Sequence, residues 1–129
     1  MGKDDAPLEF VGTSYDDLKA FPASVQGKAG VAFRTAQEGE TPPNAKPLQG
    51  FGGTGVLEVV ISYDTNAYRC VYTVRLVNAV YVLHCFEKKA TQGIKTSRRD
   101  IALIRQRLAE AERKDNAISA AKARGGQTR

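Results

Sequence analysis

The sequence predicts an α+β domain in which an antiparallel sheet packs against two N-terminal helices and one C-terminal helix, in the order β-α-α-β-β-β-α. Two observations carry this. Three runs with strand-like patterning, 55–62, 67–75 and 79–88, follow one another with only turn-forming residues between them. Apolar residues recur at helical spacing on both sides of those runs, ahead of them from Val25 to Ala36 and behind them from Ile101 to Ala111. Helices gathered outside a run of consecutive strands indicate α+β rather than alternating α/β architecture.

Taken in order, Leu8-Glu9-Phe10-Val11 alternates in polarity ahead of Gly12 and reads as a first strand. Ser14 with Asp17 resembles a capping box for a short helix over 15–20, and Pro22 suits the start of a second helix because its missing N–H is not needed there. Val25, Ala29, Ala32, Phe33 and Ala36 give that second helix its apolar stripe, which ends near Gly39. Residues 41–55 hold three prolines and four glycines and are expected to form a long loop of the kind that often carries function. The three-stranded meander follows, with turns at Asp64-Thr65-Asn66 and at Asn78. Ser97 and Asp100 form a second capping-box pattern, and Ile101, Ile104, Leu108 and Ala111 mark the buried face of the closing helix. One domain is expected over 1–112, since a chain of 129 residues matches the usual domain size of roughly 100 to 150. Residues 113–129, rich in Lys, Arg, Ala and Gly, form a basic extension, helical or frayed into a tail.

Side chains alternate faces along a strand, so the meander folds on paper. A second turn centred between Val77 and Asn78 sets Arg69 opposite Phe86, Cys70 opposite Cys85 and Val71 opposite His84. A first turn centred between Thr65 and Asn66 sets Glu58 opposite Thr73 and Ser62 opposite Arg69. One face is then the core side, with Leu57, Val59 and Ile61, then Tyr68, Cys70, Tyr72 and Val74, then Tyr81, Leu83 and Cys85. The other carries Glu58, Ser62, Arg69, Thr73 and Arg75, then His84, Phe86 and Lys88, interleaved with Val60, Val71, Val80 and Val82. Such a face can simply meet water. It also reads as a cationic pocket with an aromatic floor, because Arg69, His84, Phe86 and Lys88 gather at one end within reach of Lys46 in the loop, which suits a phosphate and a stacked base.

Composition narrows the chemistry. A net charge of +5 and a pI near 9.4 favour a polyanionic partner without proving one. Two cysteines and a single histidine are too few for a disulfide framework or a structural zinc site, so no metal and no cofactor is expected. Cys70 and Cys85 read as reduced packing residues rather than a cross-strand disulfide. Gly52-Gly53-Thr54-Gly55 lacks the Gly-Lys-Ser/Thr ending of a nucleotide-binding loop. The first residues include two acids and no apolar stretch, unlike a secretory signal, and no apolar run is long enough to span a bilayer, so the expectation is a cytoplasmic protein without a membrane partner. His84 suits general acid or base work, although a single histidine on a strand more often has a structural role. Phe86 fits a stacking role or a minor core under the loop.

Ala45-Lys46-Pro47-Leu48-Gln49-Gly50-Phe51-Gly52-Gly53, Gly55-Val56-Leu57-Glu58, Tyr68-Arg69-Cys70-Val71-Tyr72-Thr73-Val74, Tyr81-Val82-Leu83-His84-Cys85-Phe86-Glu87-Lys88-Lys89, Gly93-Ile94-Lys95-Thr96 and Asp100-Ile101 together resemble the phage-derived HigB-like branch of the RelE superfamily, over about residues 8–112. The resemblance implies a RelE-like fold and a toxin of a type II toxin–antitoxin system, an endoribonuclease that cuts messenger RNA in the ribosomal A site. It also implies a helix-turn-helix antitoxin as partner beside the ribosome. The family's reaction needs no metal: the RNA 2′-hydroxyl attacks the adjacent phosphorus and expels the 5′-oxygen, which calls for a proton acceptor, cations and an acid.

By this resemblance Arg69 holds the scissile phosphate and Lys88 supplies charge or the leaving-group proton, with Lys89 as second choice; from the sheet face and loop, Phe86, Lys46, Lys89 and Arg75 are the expected substrate contacts. Some relatives carry a carboxylate just before the loop's Pro-Leu pair, where Lys46 stands here, so the obvious base is missing. Glu58 stands where other relatives have lysine, and either accepts the proton or holds Arg69 in place. Because Arg69 points away from the expected core, its removal is expected to spare the fold. Two rivals remain: a ParE-like toxin of the same fold that poisons a topoisomerase without nuclease activity, and an inactivated prophage remnant that only binds RNA or its antitoxin.

Overall fold

A computed structural model describes residues 5–89 and 96–127. Its elements are β1 (Leu8–Phe10), α1 (Ser14–Lys19), α2 (Ala23–Gln37), β2 (Ala45–Pro47), β3 (Val56–Tyr63), β4 (Asn66–Thr73), β5 (Val80–Lys89) and α3 (Arg98–Gln127). The architecture is α+β, with one five-stranded sheet in the order β1-β5-β4-β3-β2. One detail corrects the expectation of an antiparallel sheet, and another the expectation that residues 41–55 form a loop without strand. β1 runs parallel to β5, with Leu8 opposite Val80; no hairpin joins them, so nothing local sets their relative direction. The loop between α2 and β3 contributes an edge strand, β2, in which Lys46 lies opposite Glu58 on β3, with Pro47 at the edge position a sheet tolerates.

Helix α2 forms where its stripe requires. Val25, Ala29, Ala32, Phe33 and Ala36 are all buried. It ends in a Schellman motif in which the Gly39 N–H donates to Ala36 O and the Glu40 N–H to Thr35 O, a geometry that needs the positive φ of 88° that Gly39 adopts. α1 starts one residue earlier than the Ser14–Asp17 box suggested: Thr13 precedes it and donates to Asp17 Oδ2 at 2.8 Å, while the buried Ser14 hydroxyl donates to Val82 O at 3.1 Å.

The meander's first turn is tighter than expected. Asp64 and Thr65 both take positive φ, 52° and 67°, as a two-residue type I′ turn demands. Glu58 therefore pairs with Val71 and Val60 with Arg69, two positions from the anticipated partners, and a slip of two leaves every side chain on the same face. The β4–β5 register is the expected one from Asn66 to Val71, with Arg69 opposite Phe86, Cys70 opposite Cys85 and Val71 opposite His84. Both thiols are free and buried, and Cys85 is pushed upward in pKa by its hydrogen bond to Cys70 and by burial.

The pairing then breaks. Tyr72 lies opposite Val82 rather than Leu83, so β5 carries a bulge and its alternation restarts. Val80, Val82 and Cys85 pack with α1 and α2 in one core, while Tyr81 and Leu83 join α3 in a second. Sequence alternation assigns Val80, Tyr81, Val82 and Leu83 to the opposite sides and Cys85 to the right one, because the bulge lies between them. The second face is thus no solvated surface at this end. Ile104 and Ala111 of α3 and Leu48 and Phe51 of the loop cover it.

The bulge leaves the Leu83 carbonyl to be satisfied, and Arg107 of α3, 9% exposed, donates to it at 2.9 Å and to Thr13 Oγ1 at 3.1 Å. The guanidinium lies so close to Gly12 that a Cβ there would come within 2.6 Å of Arg107 Nε. α3 also runs to Gln127 instead of fraying from Arg113, because Asp115 anchors it. Asp115 accepts from the Val77 and Asn78 N–H groups at 2.9 Å and from the Tyr81 hydroxyl at 3.0 Å, and Lys122 Nζ donates to Asn78 Oδ1. Among the described residues no helix is long and apolar enough to cross a membrane.

Burial raises the Asp115 carboxyl, but the hydrogen bonds from Asn78, Val77 and Tyr81 outweigh it and bring the group below its ordinary value. Asp115→Ala leaves buried donors unmet and is expected to lower stability by about 1–3 kcal/mol in urea unfolding at neutral pH. Since the folded-state value lies beneath the unfolded one, the clamp stabilises at higher pH and is lost as pH falls through the folded value. The gap between wild type and Asp115→Ala therefore narrows below about pH 4.

Candidate functional site

The sheet face under α3 is where charged side chains converge. β3 and β4 bring Glu58 and Arg69 to neighbouring positions on it, since Glu58 pairs with Val71 and Arg69 with Val60. Arg69 Nη1 lies 2.5 Å from Glu58 Oε2, and the residues are only 6% and 4% exposed. Thr96 adds a hydrogen bond to Glu58 Oε1 at 3.4 Å. The ion pair forms the floor of a cavity of about 590 Å³ whose walls include Lys46, Gln49 and Gly50 of the loop and Ile101 of α3. The loop is held over this floor from above: the Arg105 guanidinium sits 4.5 Å from the centre of the Phe51 ring and donates to Gly50 O.

Beside it opens a second cavity of about 590 Å³, lined by Phe86, Glu87, Lys88, Ser97, Arg99 and Asp100. Lys88 pairs with Ala67 and Phe86 with Arg69, so Arg69, Phe86 and Lys88 project from one face, with Phe86 next to both cations. His84 stacks on Phe86, ring centres 4.6 Å apart at 21°, and its Nε2 lies 2.8 Å from Asp100 Oδ1. Its Nδ1 is buried with no hydrogen-bond partner among the described residues. The Ser97–Asp100 capping box forms as expected: the Asp100 N–H donates to Ser97 Oγ at 3.1 Å and the Ser97 hydroxyl to Asp100 Oδ2 at 2.7 Å.

The structure therefore brings together Arg69, Glu58 and Lys46 around one cavity and Phe86 and Lys88 around the other, with His84 buried behind Phe86 and lining neither. Arg75 does not belong with them. β4 ends at Thr73, the chain leaves the sheet, and Arg75 lines a separate hollow with Gly39, Thr41 and Tyr72 on the α2 side. The Lys89 backbone closes β5, but its side chain lies outside the described residues, as do Gly93 to Lys95. Sequence reasoning missed Arg99 and Asp100 as members of the site. The capping-box pattern pointed to their helix start, but nothing local tells that this helix end faces Lys88.

Chemically, the floor holds an ion pair and the adjoining cavity holds two cations, Lys88 and Arg99, beside an aromatic ring and two carboxylates, Glu87 and Asp100. Such a set can bind a phosphodiester through charge-assisted hydrogen bonds while a base stacks alongside. Among the described residues no cluster of three His, Cys, Asp or Glu side chains is placed to hold a metal ion.

The burial of Arg69 also corrects the expectation that its removal spares the fold. Arg69→Ala would leave the Glu58 carboxylate buried without its countercharge, and Glu58→Ala would take from the Arg69 guanidinium the carboxylate 2.5 Å away. Either is expected to destabilise by about 3–5 kcal/mol, whereas a matched apolar replacement, Glu58→Leu with Arg69→Met, restores most of the loss. A double-mutant cycle in urea unfolding measures the coupling, and additive single losses would disprove it.

Phage-derived Gp49-like proteins (DUF891) match residues 16–109 of the chain. No curated protein and no solved structure matches it. The matched span runs from α1 to the middle of α3 and takes in both cavities. The chain therefore belongs to the phage-derived Gp49-like family, a family of RelE/HigB-like toxins.

Proposed function

We propose that the protein is the toxin of a type II toxin–antitoxin system, on the HigB-like branch, and that it cuts messenger RNA in the ribosomal A site without a metal. One observation carries the reading: Arg69 and Lys88 project from the same sheet face on either side of Phe86. In this reading Lys88 and Arg99 grip the scissile phosphodiester, and Phe86 stacks the neighbouring base. Arg69, steadied by Glu58, sets the positive potential of the floor, and Lys46 reaches the RNA backbone from the loop. The 2′-oxygen attacks phosphorus, the cations stabilise the phosphorane charge, and the Lys88 ammonium protonates the departing 5′-oxygen. A helix-turn-helix antitoxin silences the protein by covering this cationic face in the cytoplasm.

The neutralisation of Arg69 by Glu58 favours a second reading, since it withdraws one cation from phosphate binding. In that reading the protein is a ParE-like toxin that poisons a topoisomerase through protein contacts.

Primer extension on a translated message after induction separates the two. The ribonuclease reading expects new 5′ ends within the translated region, and Lys88→Ala reduces their rate of appearance by about 10²–10³-fold. Growth arrest with intact messages and gyrase trapped on DNA would establish the topoisomerase reading. Intact messages with no arrest would leave a protein that only binds RNA or its antitoxin.

A further inference from the structure

The strands supply this site with cations, and their exposed carboxylate at the cavity rim, Glu87, alternates to the opposite sheet face from Phe86 and Lys88 and accepts from Asn66 Nδ2 at 2.6 Å, so they set no proton acceptor beside those cations. Glu58 is 4% exposed and is engaged by Arg69 and Thr96. His84 is 7% exposed; its Nε2 is turned to Asp100 and its Nδ1 is enclosed, so neither ring nitrogen is presented to the cavity. In the loop, the Pro-Leu pair is preceded by Lys46. What the strands lack, the start of α3 provides. The Asp100 side chain is 25% exposed and lines the cavity that also holds Lys88, Arg99 and Phe86.

We infer that Asp100 is the catalytic proton acceptor of this site, taking the proton of the RNA 2′-hydroxyl, with His84 behind it as a positioning residue; this rests on the ribonuclease reading above. Ser97 fixes one carboxylate oxygen at 2.7 Å and His84 Nε2 the other at 2.8 Å. A carboxylate offers about four lone-pair sites, so two remain for a substrate hydroxyl. Fixing both oxygens removes the rotational freedom a surface aspartate would have, as a general base held in one geometry requires. The contact also gives His84 a reason to be where it is: stacked on Phe86, it ties the base-stacking ring to the carboxylate.

The step balances. The 2′-hydroxyl proton passes to Asp100 as the O2′–P bond forms, and the P–O5′ bond breaks as Lys88 gives its proton to O5′. The products are a 2′,3′-cyclic phosphate and a 5′-hydroxyl, and water returns the Asp100 proton to Lys88 after release.

The test uses the full chain in a translation reaction on a defined message, followed by single-turnover cleavage. Asp100→Asn is expected to slow cleavage by about 10²–10⁴-fold while binding of a message with 2′-deoxyribose at the cut site is unchanged. Asp100→Gly is expected to regain activity on addition of formate, a readout to which a merely structural aspartate would not respond, and one that works on whatever fraction of the variant is folded. His84→Phe should lower kcat with KM unchanged, and His84→Gln, which keeps a donor, should recover part of the loss. If wild type cuts while Asp100→Asn cuts equally fast, or if formate leaves Asp100→Gly inert, the assignment of Asp100 fails and the ribonuclease reading stands. If wild type cuts no message, both fall together.

Discussion

A single irregularity in β5 organises this molecule. Without the bulge at Leu83, strict alternation would turn Tyr81 and Leu83 to the same side as Cys85, and the face beneath α3 would lose two fully buried β5 side chains. With it, both faces of the strand are apolar where helices cover them, and His84 still emerges on the α3 side. Such a bulge persists only where its freed backbone groups find partners. Arg107 is that partner. One guanidinium spans the Leu83 carbonyl and the Thr13 hydroxyl, so it joins α3, the bulge and the start of α1 at a point where Gly12 leaves room for it.

α3 is consequently more than a cover for the sheet. Its middle buries Ile104 and Ala111, its far half is held by Asp115 at the β4–β5 connection, and its first turn presents Asp100 to His84. The three attachments act on one rigid rod, so the position of the first turn is determined by contacts far along the helix as well as by its own cap. Geometry at the cavity containing Lys88 is thereby coupled to the fold's second core.

The buried Arg69–Glu58 pair needs a separate account, because desolvating two charges costs about as much as their attraction returns. Stability alone does not explain it. In the proposed ribonuclease the pair has a use: Glu58 holds the guanidinium in one orientation under the loop, and the reacting phosphodiester is left to the more exposed Lys88 and Arg99. The two cavities then divide the work, one shaping the floor on which RNA lies and the other carrying the chemistry.

Whatever depends on neighbours along the chain was legible in the sequence. The apolar stripe of α2 and its stop at Gly39, the Ser97–Asp100 cap, and the β4–β5 register that sets Arg69 opposite Phe86 all follow from periodicity, capping chemistry and turn residues within a few positions of one another. Even the misjudged Asp64-Thr65 turn left the faces of β3 right, since a slip of two preserves them. The candidate site was half legible for the same reason: alternation placed Glu58, Arg69, Phe86 and Lys88 on one face, and mistook Arg75 for a fifth because it ran the strand too far. The tertiary structure alone decided the rest. The bulge, the burial of Arg69 against Glu58, the parallel course of β1, the Asp115 clamp and the meeting of His84 with Asp100 each join segments that no local pattern relates. Such contacts arise only when α3 and the loop settle on the sheet and their buried polar groups must find partners there.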